Sequence, residues 1–304
     1  MRVIAAVMVV LGLALPVNAE MQEVTEPAQA MCPEGQSVSI ETLAGTHKAI
    51  LFGEYHGTRE MPGVFGDMVG EAAAGGRRVV VALEYRANWQ ADLDAVMAAP
   101  NEVSALDAFA MHSTRDGRTS DAMRNLLLQL RALKLAGANV TVRAIDMAWP
   151  DPTAVSRAAE LGLPPGIDQQ YGLRNIIMGL NAVEVCEEAQ CDLLMVYAGN
   201  MHTRLDVMDS SIYNPIEEKV IEFREAPAGY IIVQNMPTAA VYLGHRGGWA
   251  TNRTKLGVGM HEIEPVLPDF AVEDGIIYCM GNGTYFQSVG KIYSSEDSLA
   301  GEGQ

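Results

Sequence analysis

Four apolar runs, each followed by polar or ionisable residues, alternate with helical segments along this chain. The runs cover about residues 48–54, 78–84, 140–146 and 192–198. An apolar run of this length that stops at Gly or at polar residues is typical of a buried strand that turns into a loop. Strands that alternate with helices favour a central sheet with helices on both faces. We therefore predict an α/β fold whose sheet is mainly parallel or mixed.

The spacing of apolar residues also predicts the helices. The clearest one covers 120–136, where apolar side chains recur at the helical period and Gly137 follows. Further helices are predicted over about 60–75, 88–98, 103–111 and 167–185. Downstream, we predict strands over 229–233 and 239–243 in hairpin-like succession, and a last strand over 275–279 that completes the sheet.

The first residues are typical of an export signal. Arg2 supplies a positive charge, residues 3–15 are apolar, and 17–19 form a small-x-small cleavage site. We predict a signal peptide over 1–19 and a periplasmic or secreted protein that is soluble after cleavage. Residues 20–304 would then form a single domain with a frayed tail from about residue 294.

Net charge and cysteine count narrow the class of protein further. A formal net charge of −17 argues against nucleic acid as a partner, because nucleic acid is bound by basic surfaces. An even number of Cys in an exported protein predicts disulfides. Three pairings of the four Cys are possible. Cys186 and Cys191 close a short polar loop and form the natural local pair, and Cys32 would then pair with Cys279.

Two Gly-x-x-His strings stand at the ends of apolar runs, Gly53-Glu54-Tyr55-His56 and Gly199-Asn200-Met201-His202. In parallel sheets, ligands gather at the carboxyl ends of the strands. We therefore expect His56, His202 and Glu54 to lie close together, with Glu84 at the end of the second run. Asp146 ends the third run, and there we favour an ordinary solvated strand end. An imidazole pair with carboxylates can move protons or bind a metal.

The predicted helix over 167–185 adds a cation to these groups. Arg174 lies on a partly apolar stripe beside Met178, which is an unusual place for a merely solvated Arg. A guanidinium there can neutralise a carboxylate or hold an oxyanion.

These residues carry a resemblance to a known superfamily. The chain resembles the group that contains the erythromycin esterases, the ChaN-type haem-binding lipoproteins and the TraB/Tiki proteins. That group has two Gly-x-x-His motifs, a Glu that ends the strand between them, and an Arg on a helix before the second motif. The matching segments, spread over about 48–208, are Gly53-Glu54-Tyr55-His56-Gly57-Thr58-Arg59-Glu60, Glu84 within 82–85, Arg174-Asn175-Ile176-Ile177-Met178, and Gly199-Asn200-Met201-His202.

The resemblance implies a hydrolase that activates water to cleave an ester, lactone or amide bond of a small molecule or peptide. His56 would deprotonate water, Glu84 would orient it, and His202 and Arg174 would stabilise the developing charge, with Glu54 in support. Substrate contacts are predicted at Tyr55, Arg59, Glu60 and Asn200. No Gly-x-Ser-x-Gly string occurs in the sequence, so a serine nucleophile on that motif is not expected.

The resemblance leaves other activities open. A Tiki-type metal-dependent protease would hold a divalent metal with His56, His202 and Glu84. A ChaN-like protein would instead bind haem or iron without catalysis, with Tyr55, Tyr85 or Met201 as conceivable ligands. The chain has no Cys at the predicted cleavage point, which counts against the lipoprotein branch. An exported structural protein with a decayed site is disfavoured, because every motif position carries the expected residue type.

Overall fold

The structure is a computed structural model that describes residues 39–114, 116–214, 218–244, 247–254, 257–263 and 276–279. Its strands are β1 Ala49–Glu54, β2 Val79–Arg86, β3 Val140–Asp146, β4 Leu193–Gly199, β5 Met208–Asn214, β6 Lys219–Glu225, β7 Thr238–Gly244, β8 Gly248–Thr254, β9 Gly257–Ile263 and β10 Ile276–Cys279. Its helices are α1 Ile40–Ala44, α2 Glu60–Ala74, α3 Gln90–Ala98, α4 Glu102–Ala108, α5 Asp121–Leu135, α6 Ala154–Glu160, α7 Leu173–Glu188 and α8 Ala228–Val233.

Six strands form one sheet in the order β10-β7-β1-β4-β2-β3, and every neighbouring pair in it is parallel. The predicted α/β fold is confirmed. After β3 the chain returns to place β4 between β1 and β2, so the carboxyl ends of these three strands lie side by side. Ends of parallel strands around such a change of direction are where ligands bind in open α/β sheets.

Both faces of the sheet are buried, which explains why the strand sequences are apolar throughout. Ile50 and Phe52 face the layer that contains α2 and α5, whereas Leu51 and Val80 face α7 and α8. Successive strand residues therefore pack into different layers, as the two-residue period of a strand requires. The two helical layers cover both faces of the sheet and so position its strand ends.

The predicted helices are present, with small shifts in their ends. The largest shift is in α7, which begins at Leu173 rather than near residue 167. The residues before it are held in a loop, where the N–H of Asp168 donates to the carbonyl of Arg224 over 2.8 Å. Within the ranges that the structure describes, no helix combines the length and apolar character needed to cross a bilayer.

The predicted strand over 229–233 is wrong, because these residues belong to α8. A short apolar run fits a buried helix as well as a strand, and periodicity does not separate the two. Packing decides it here: a β-carbon on Gly179 of α7 would lie 2.5 Å from Ile231 Cβ, so α8 rests directly against α7. The predicted strand over 239–243 is present as β7, but it pairs in parallel with β1 instead of forming a hairpin.

Two antiparallel hairpins were not predicted. β5 pairs with β6, and β8 pairs with β9, and neither pair joins the main sheet in the described ranges. Both hairpins contribute residues near the strand ends described below.

The predicted disulfide between Cys186 and Cys191 is present, with 5.0 Å between the two α-carbons. It links the last turn of α7 to the residues just before β4. Both of these elements carry groups of the candidate site. Cys32, the predicted signal peptide over 1–19 and the predicted frayed tail from residue 294 lie outside the described residues.

Candidate active site

Glu84 occupies the centre of a cluster of charged groups at the carboxyl edge of the sheet. One of its carboxylate oxygens accepts hydrogen bonds from Arg174 and, over 3.0 Å, from Arg118. The other oxygen accepts from the N–H of Gly199 over 2.8 Å. His56 Nε2 lies 3.4 Å and His202 Nε2 lies 3.5 Å from the same carboxylate. We call Glu84, His56, His202, Arg118 and Arg174 the Glu84 cluster.

Burial and neighbouring charges act in opposite directions on Glu84. Its side chain is only 3% exposed, and burial alone raises the pKa of a carboxyl group. The nearby imidazoles of His202 and His56 and the Arg118 guanidinium outweigh that effect and hold the pKa of Glu84 well below its usual value. Glu84 is therefore ionised, accepts hydrogen bonds with both oxygens, and is poorly suited to be a proton acceptor.

His56 lies between two carboxylates. Its Nδ1 is 2.7 Å from Glu54 Oε1, and its Nε2 faces Glu84. Burial lowers the pKa of His56, but the charges of Glu84 and Glu54 and their hydrogen bonds raise it to about 10. The imidazole is therefore a cation at neutral pH, with an N–H on each nitrogen. A charged imidazole has no lone pair to accept a proton, so this arrangement does not favour the predicted role of His56 in deprotonating water.

His202 has different partners. Its Nδ1 lies 2.5 Å from Asn175 Oδ1, and its Nε2 lies 3.1 Å from Arg174 Nη1. The Asn175 amide donates from Nδ2 to Glu225 Oε2 over 2.8 Å. Because a guanidinium N–H only donates, this contact leaves His202 Nε2 as the accepting atom. The two imidazoles of the cluster thus have opposite roles in their hydrogen bonds.

The two arginines are held by two aspartates. Arg174 donates to both oxygens of Asp146, over 2.8 Å each, and Arg118 Nη1 lies 3.3 Å from Asp146 Oδ2. Arg118 also binds Asp116, with contacts of 2.7 and 3.0 Å. Burial raises the pKa of Asp116, but the hydrogen bond and charge of Arg118 lower it to about 2. The Arg174 side chain is 38% exposed against 18% for Arg118, so Arg174 is the cation more open to a bound molecule.

Asp146 was expected to be an ordinary solvated strand end, and that expectation is wrong. The residue is 4% exposed and binds both arginines of the cluster. Four further residues of the site were not predicted from the sequence, namely Arg118, Asp116, Asn175 and Glu225. Asn175 follows Arg174 in the helix motif and was within reach of sequence reasoning, whereas Glu225 carries no recognisable signal.

Two glycines of the motifs allow close approach at the strand ends. A β-carbon on Gly199 would lie 3.2 Å from His56 Nε2 and 3.5 Å from His202 Cδ2. A β-carbon on Gly53 would lie 2.5 Å from Asn200 Oδ1. Gly199 therefore leaves room between the two imidazoles, and Asn200 packs against the backbone of β1.

The other predicted substrate contacts lie beside the cluster. Arg59 lines a cleft of about 330 Å³ between α2 and α5, together with Asp121 and Gln129. Glu60 begins α2 and is half-buried, and Tyr55 is half-buried against the apolar core. The structure brings His56, His202, Glu54, Glu84 and Arg174 together, and leaves these flanking residues outside the Glu84 cluster.

The predicted metal ligands converge but do not fit a metal. His56, His202 and Glu84 meet, yet Arg118, Arg174 and the Gly199 N–H already occupy the Glu84 oxygens. Two guanidinium cations beside the carboxylate would also repel a divalent ion. Among the described residues, no group of three His, Cys, Asp or Glu side chains is arranged as a metal site.

Two of the conceivable haem ligands, Tyr85 and Met201, lie in very different surroundings. Tyr85 is 2% exposed, and its hydroxyl donates to the carbonyl of Arg118 over 2.8 Å. Met201 is 46% exposed on the loop after β4. Tyr85 and Met201, a buried and engaged phenol and a surface thioether, do not provide a pair of axial ligands for haem.

The loop after β1 is held by the β8–β9 hairpin. The N–H of Thr251 donates to the carbonyl of Gly57 over 3.1 Å, and Asn252 Nδ2 donates to the carbonyl of His56 over 3.0 Å. Gly57 has φ +81°, and a β-carbon on it would lie 1.9 Å from the carbonyl oxygen of Thr251. The hairpin thus fixes the backbone that carries His56.

This close approach gives a prediction for Gly57→Ala. The variant should lose about 3 kcal/mol of unfolding free energy, because a left-handed backbone and a clash with Thr251 add together. Gly76→Ala is the matched control, since Gly76 has φ +75° and nothing within 4 Å of the added carbon. The control should lose only about 1 kcal/mol. Urea unfolding measures both, and equal losses would show that the hairpin does not constrain this loop.

The charged state of His56 makes the stability of the fold depend on pH. Its pKa is about 10 in the folded protein and about 6.5 when unfolded. The stabilisation is therefore complete below pH ~6.5 and is lost as the pH rises towards 10. We expect the unfolding free energy to fall across this range in the natural protein and to fall less in His56→Gln. Parallel curves for the two proteins would contradict a raised pKa at His56.

No described protein family matches the chain by sequence, and no curated protein matches it either. Comparison with solved structures does find neighbours. A mutant of the erythromycin esterase EreC in its open conformation superposes with a TM-score of 0.51 at 10% identity, over 75% of this chain and 79% of that chain. A protein described as a succinoglycan biosynthesis protein gives 0.51 at 11% identity, over 79% and 78% of the two chains.

These neighbours establish a shared fold. The type III effector HopBA1 is also similar, with a TM-score of 0.42 at 14% identity over 78% of this chain and 97% of that chain. The chain has the fold of erythromycin esterase, and what its own site can do follows from the geometry of the Glu84 cluster.

Proposed function

We propose that this protein is a hydrolase that uses water to cleave an ester, lactone or amide bond, and that it belongs to the erythromycin esterase group. The observation that carries the proposal is the pair of imidazole Nε2 atoms that face one ionised carboxylate, 3.4 and 3.5 Å away, at the carboxyl edge of the sheet. A shared fold with an erythromycin esterase supports the reaction class, as do the four motif positions that meet in the site.

The two imidazoles divide the proton transfers between them. His202 Nε2 accepts a hydrogen bond from Arg174 in the structure, so it carries a lone pair. That lone pair can take a proton from water when the Arg174 N–H turns from the ring to the substrate oxyanion. His56 is charged, and its Nε2–H can donate to a developing oxyanion or a leaving group. Glu84 positions the imidazoles of His56 and His202 next to each other and does not itself exchange protons.

The reaction then balances as follows. The water oxygen bonds to the carbonyl carbon while its proton moves to His202 Nε2, and the carbonyl π electrons pass to oxygen. His56 Nε2–H and the exposed guanidinium of Arg174 stabilise that oxyanion. The carbonyl re-forms as the bond to the alcohol or amine breaks, and the leaving group takes a proton from an imidazolium of the site. The products are a carboxylic acid and an alcohol or amine.

A panel of small esters, lactones and amides tests the proposal. We expect the natural protein to turn over at least one of these classes and, in ¹⁸O-labelled water, to place one ¹⁸O in the released acid. A double variant, His56→Gln with His202→Gln, controls for contaminating hydrolases and should be inactive. No turnover of any class, or equal turnover by the double variant, would overturn the proposed function.

A further inference from the structure

A buried chain of three side chains connects His202 to the β5–β6 hairpin. Glu225 accepts from Asn175 Nδ2 over 2.8 Å, and Asn175 Oδ1 lies 2.5 Å from His202 Nδ1. Asn175 and Glu225 are each only 7% exposed. Buried polar groups are stable in such an arrangement only when each finds its partner. The hydrogen bonds in this series of side chains therefore have a defined donor-to-acceptor direction.

The direction of this chain determines which nitrogen of His202 carries its proton. A carboxylate oxygen of Glu225 accepts and does not donate, so the NH₂ of Asn175 must face it. The carbonyl oxygen of Asn175 then faces His202, and a carbonyl only accepts. His202 Nδ1 must therefore carry the hydrogen, and in the neutral ring Nε2 keeps the lone pair.

The hairpin and the loop before α7 hold Glu225 in place. The residue that precedes Glu225 on β6, Arg224, accepts at its carbonyl from the N–H of Asp168 over 2.8 Å. A β-carbon on Gly172 would lie 3.3 Å from Glu225 Cβ, so β6 packs closely on the residue that precedes α7. Asn175 lies in the first turn of α7. The Asn175 amide and the Glu225 carboxylate are therefore held by two elements that pack directly against each other.

We propose that Asn175 and Glu225 are positioning residues that fix His202 as its Nδ1–H tautomer and thereby keep Nε2 ready to accept the proton of water. The kinetic consequence rests on the proposed hydrolysis, whereas the tautomer rests on these contacts alone. Neither residue needs to touch a substrate, since both act through the ring of His202.

Exchanging the amide at Asn175 with the carboxylate at Glu225 tests this series of hydrogen bonds. Asn175→Asp alone places two carboxylates against each other, and we expect kcat/KM to fall about a hundredfold or more, through kcat, because the orientation of the base is lost. Glu225→Gln alone should lower kcat/KM by about tenfold, since an amide at this position can either accept from or donate to Asn175 and no longer fixes its direction.

The double variant, Asn175→Asp with Glu225→Gln, restores a donor opposite an acceptor and should recover kcat/KM to within about tenfold of the natural protein. A carboxylate beside His202 favours the charged ring, so the acidic limb of its pH profile should move to higher pH. A merely structural role predicts no such movement. Failure of the double variant to recover while its thermal melt matches that of the natural protein would overturn the proposal, as would full activity of Asn175→Asp.

A spectroscopic readout separates this proposal from the proposed function. In ¹⁵N-histidine-labelled protein, long-range ¹H–¹⁵N correlations distinguish a protonated Nδ1 from a protonated Nε2, and His202→Gln assigns the signals. We expect the Nδ1–H form of His202 in the natural protein and loss of that single form in Asn175→Leu. An Nε2–H tautomer in the natural protein would overturn the proposal even if hydrolysis is found. The expected tautomer without any hydrolysis would overturn the proposed function alone.

Discussion

Replacing Glu84 with Gln is expected to lower the free energy of unfolding by about 3 kcal/mol, because removal of one partner leaves buried charges uncompensated. Glu84 is the common acceptor for Arg118, Arg174 and the N–H of Gly199. The amide of Gln can accept only part of these hydrogen bonds. Its oxygen still accepts, but its NH₂ group is itself a donor and would face another donor. Urea unfolding with linear extrapolation measures the loss.

Glu41→Gln provides the matched control for this change. Glu41 also accepts two hydrogen bonds from one arginine, Arg77, over 2.8 Å each, but its side chain is 48% exposed. Exposed ion pairs contribute little to stability because solvent screens them, so the control should be almost as stable as the natural protein. If Glu84→Gln is no more destabilised than Glu41→Gln, Glu84 does not hold the cluster together.

His202→Gln and His56→Gln are each expected to lower kcat for the hydrolysed substrate by about a thousandfold, with a smaller change in KM. Removal of His202 takes away the proton acceptor, and removal of His56 takes away a charged donor to the oxyanion. Losses of roughly 10²–10⁴-fold are usual for either kind of group. Steady-state kinetics on the substrate found in the panel measures both variants.

His47→Gln is the control for these two variants. His47 precedes β1 at the amino edge of the sheet, and its Nδ1 contacts Thr46 and the carbonyl of Leu43. It should keep full activity, because it lies at the other end of the strand that leads to His56. If either site variant keeps full activity while its fold is intact, the two histidines do not form one catalytic site.

The sequence allowed the parallel sheet and five members of the site to be predicted, because both depend on local patterns. Apolar runs that end in Gly or Glu locate β1, β2 and β4, and their ends place His56, Glu84 and His202 at one edge. Arg174 was found because a cation on a partly apolar helical stripe is unusual. These signals lie within a few residues of each functional side chain.

The remaining members depend on tertiary structure. Arg118 comes from the loop before α5 and Glu225 comes from the end of a hairpin, and no local spacing distinguishes either from a surface charge. The protonation of His56 was also beyond sequence reasoning, because it results from Glu54 and Glu84 meeting around one ring. We therefore propose His202 rather than His56 as the proton acceptor because of contacts that the sequence alone does not reveal.

The central claim is that one carboxylate gathers two imidazoles with different hydrogen-bond roles, and that the His56 ring is a cation. The most direct test is an NMR titration of ¹⁵N-histidine-labelled protein, with the His56 signals assigned through His56→Gln. We predict that His56 remains a doubly protonated imidazolium through pH 8 and titrates near pH 10, well above the usual value of about 6.5. Titration of His56 between pH 6 and 7 would contradict the account, since a neutral His56 could not supply the charge that the proposed hydrolysis requires.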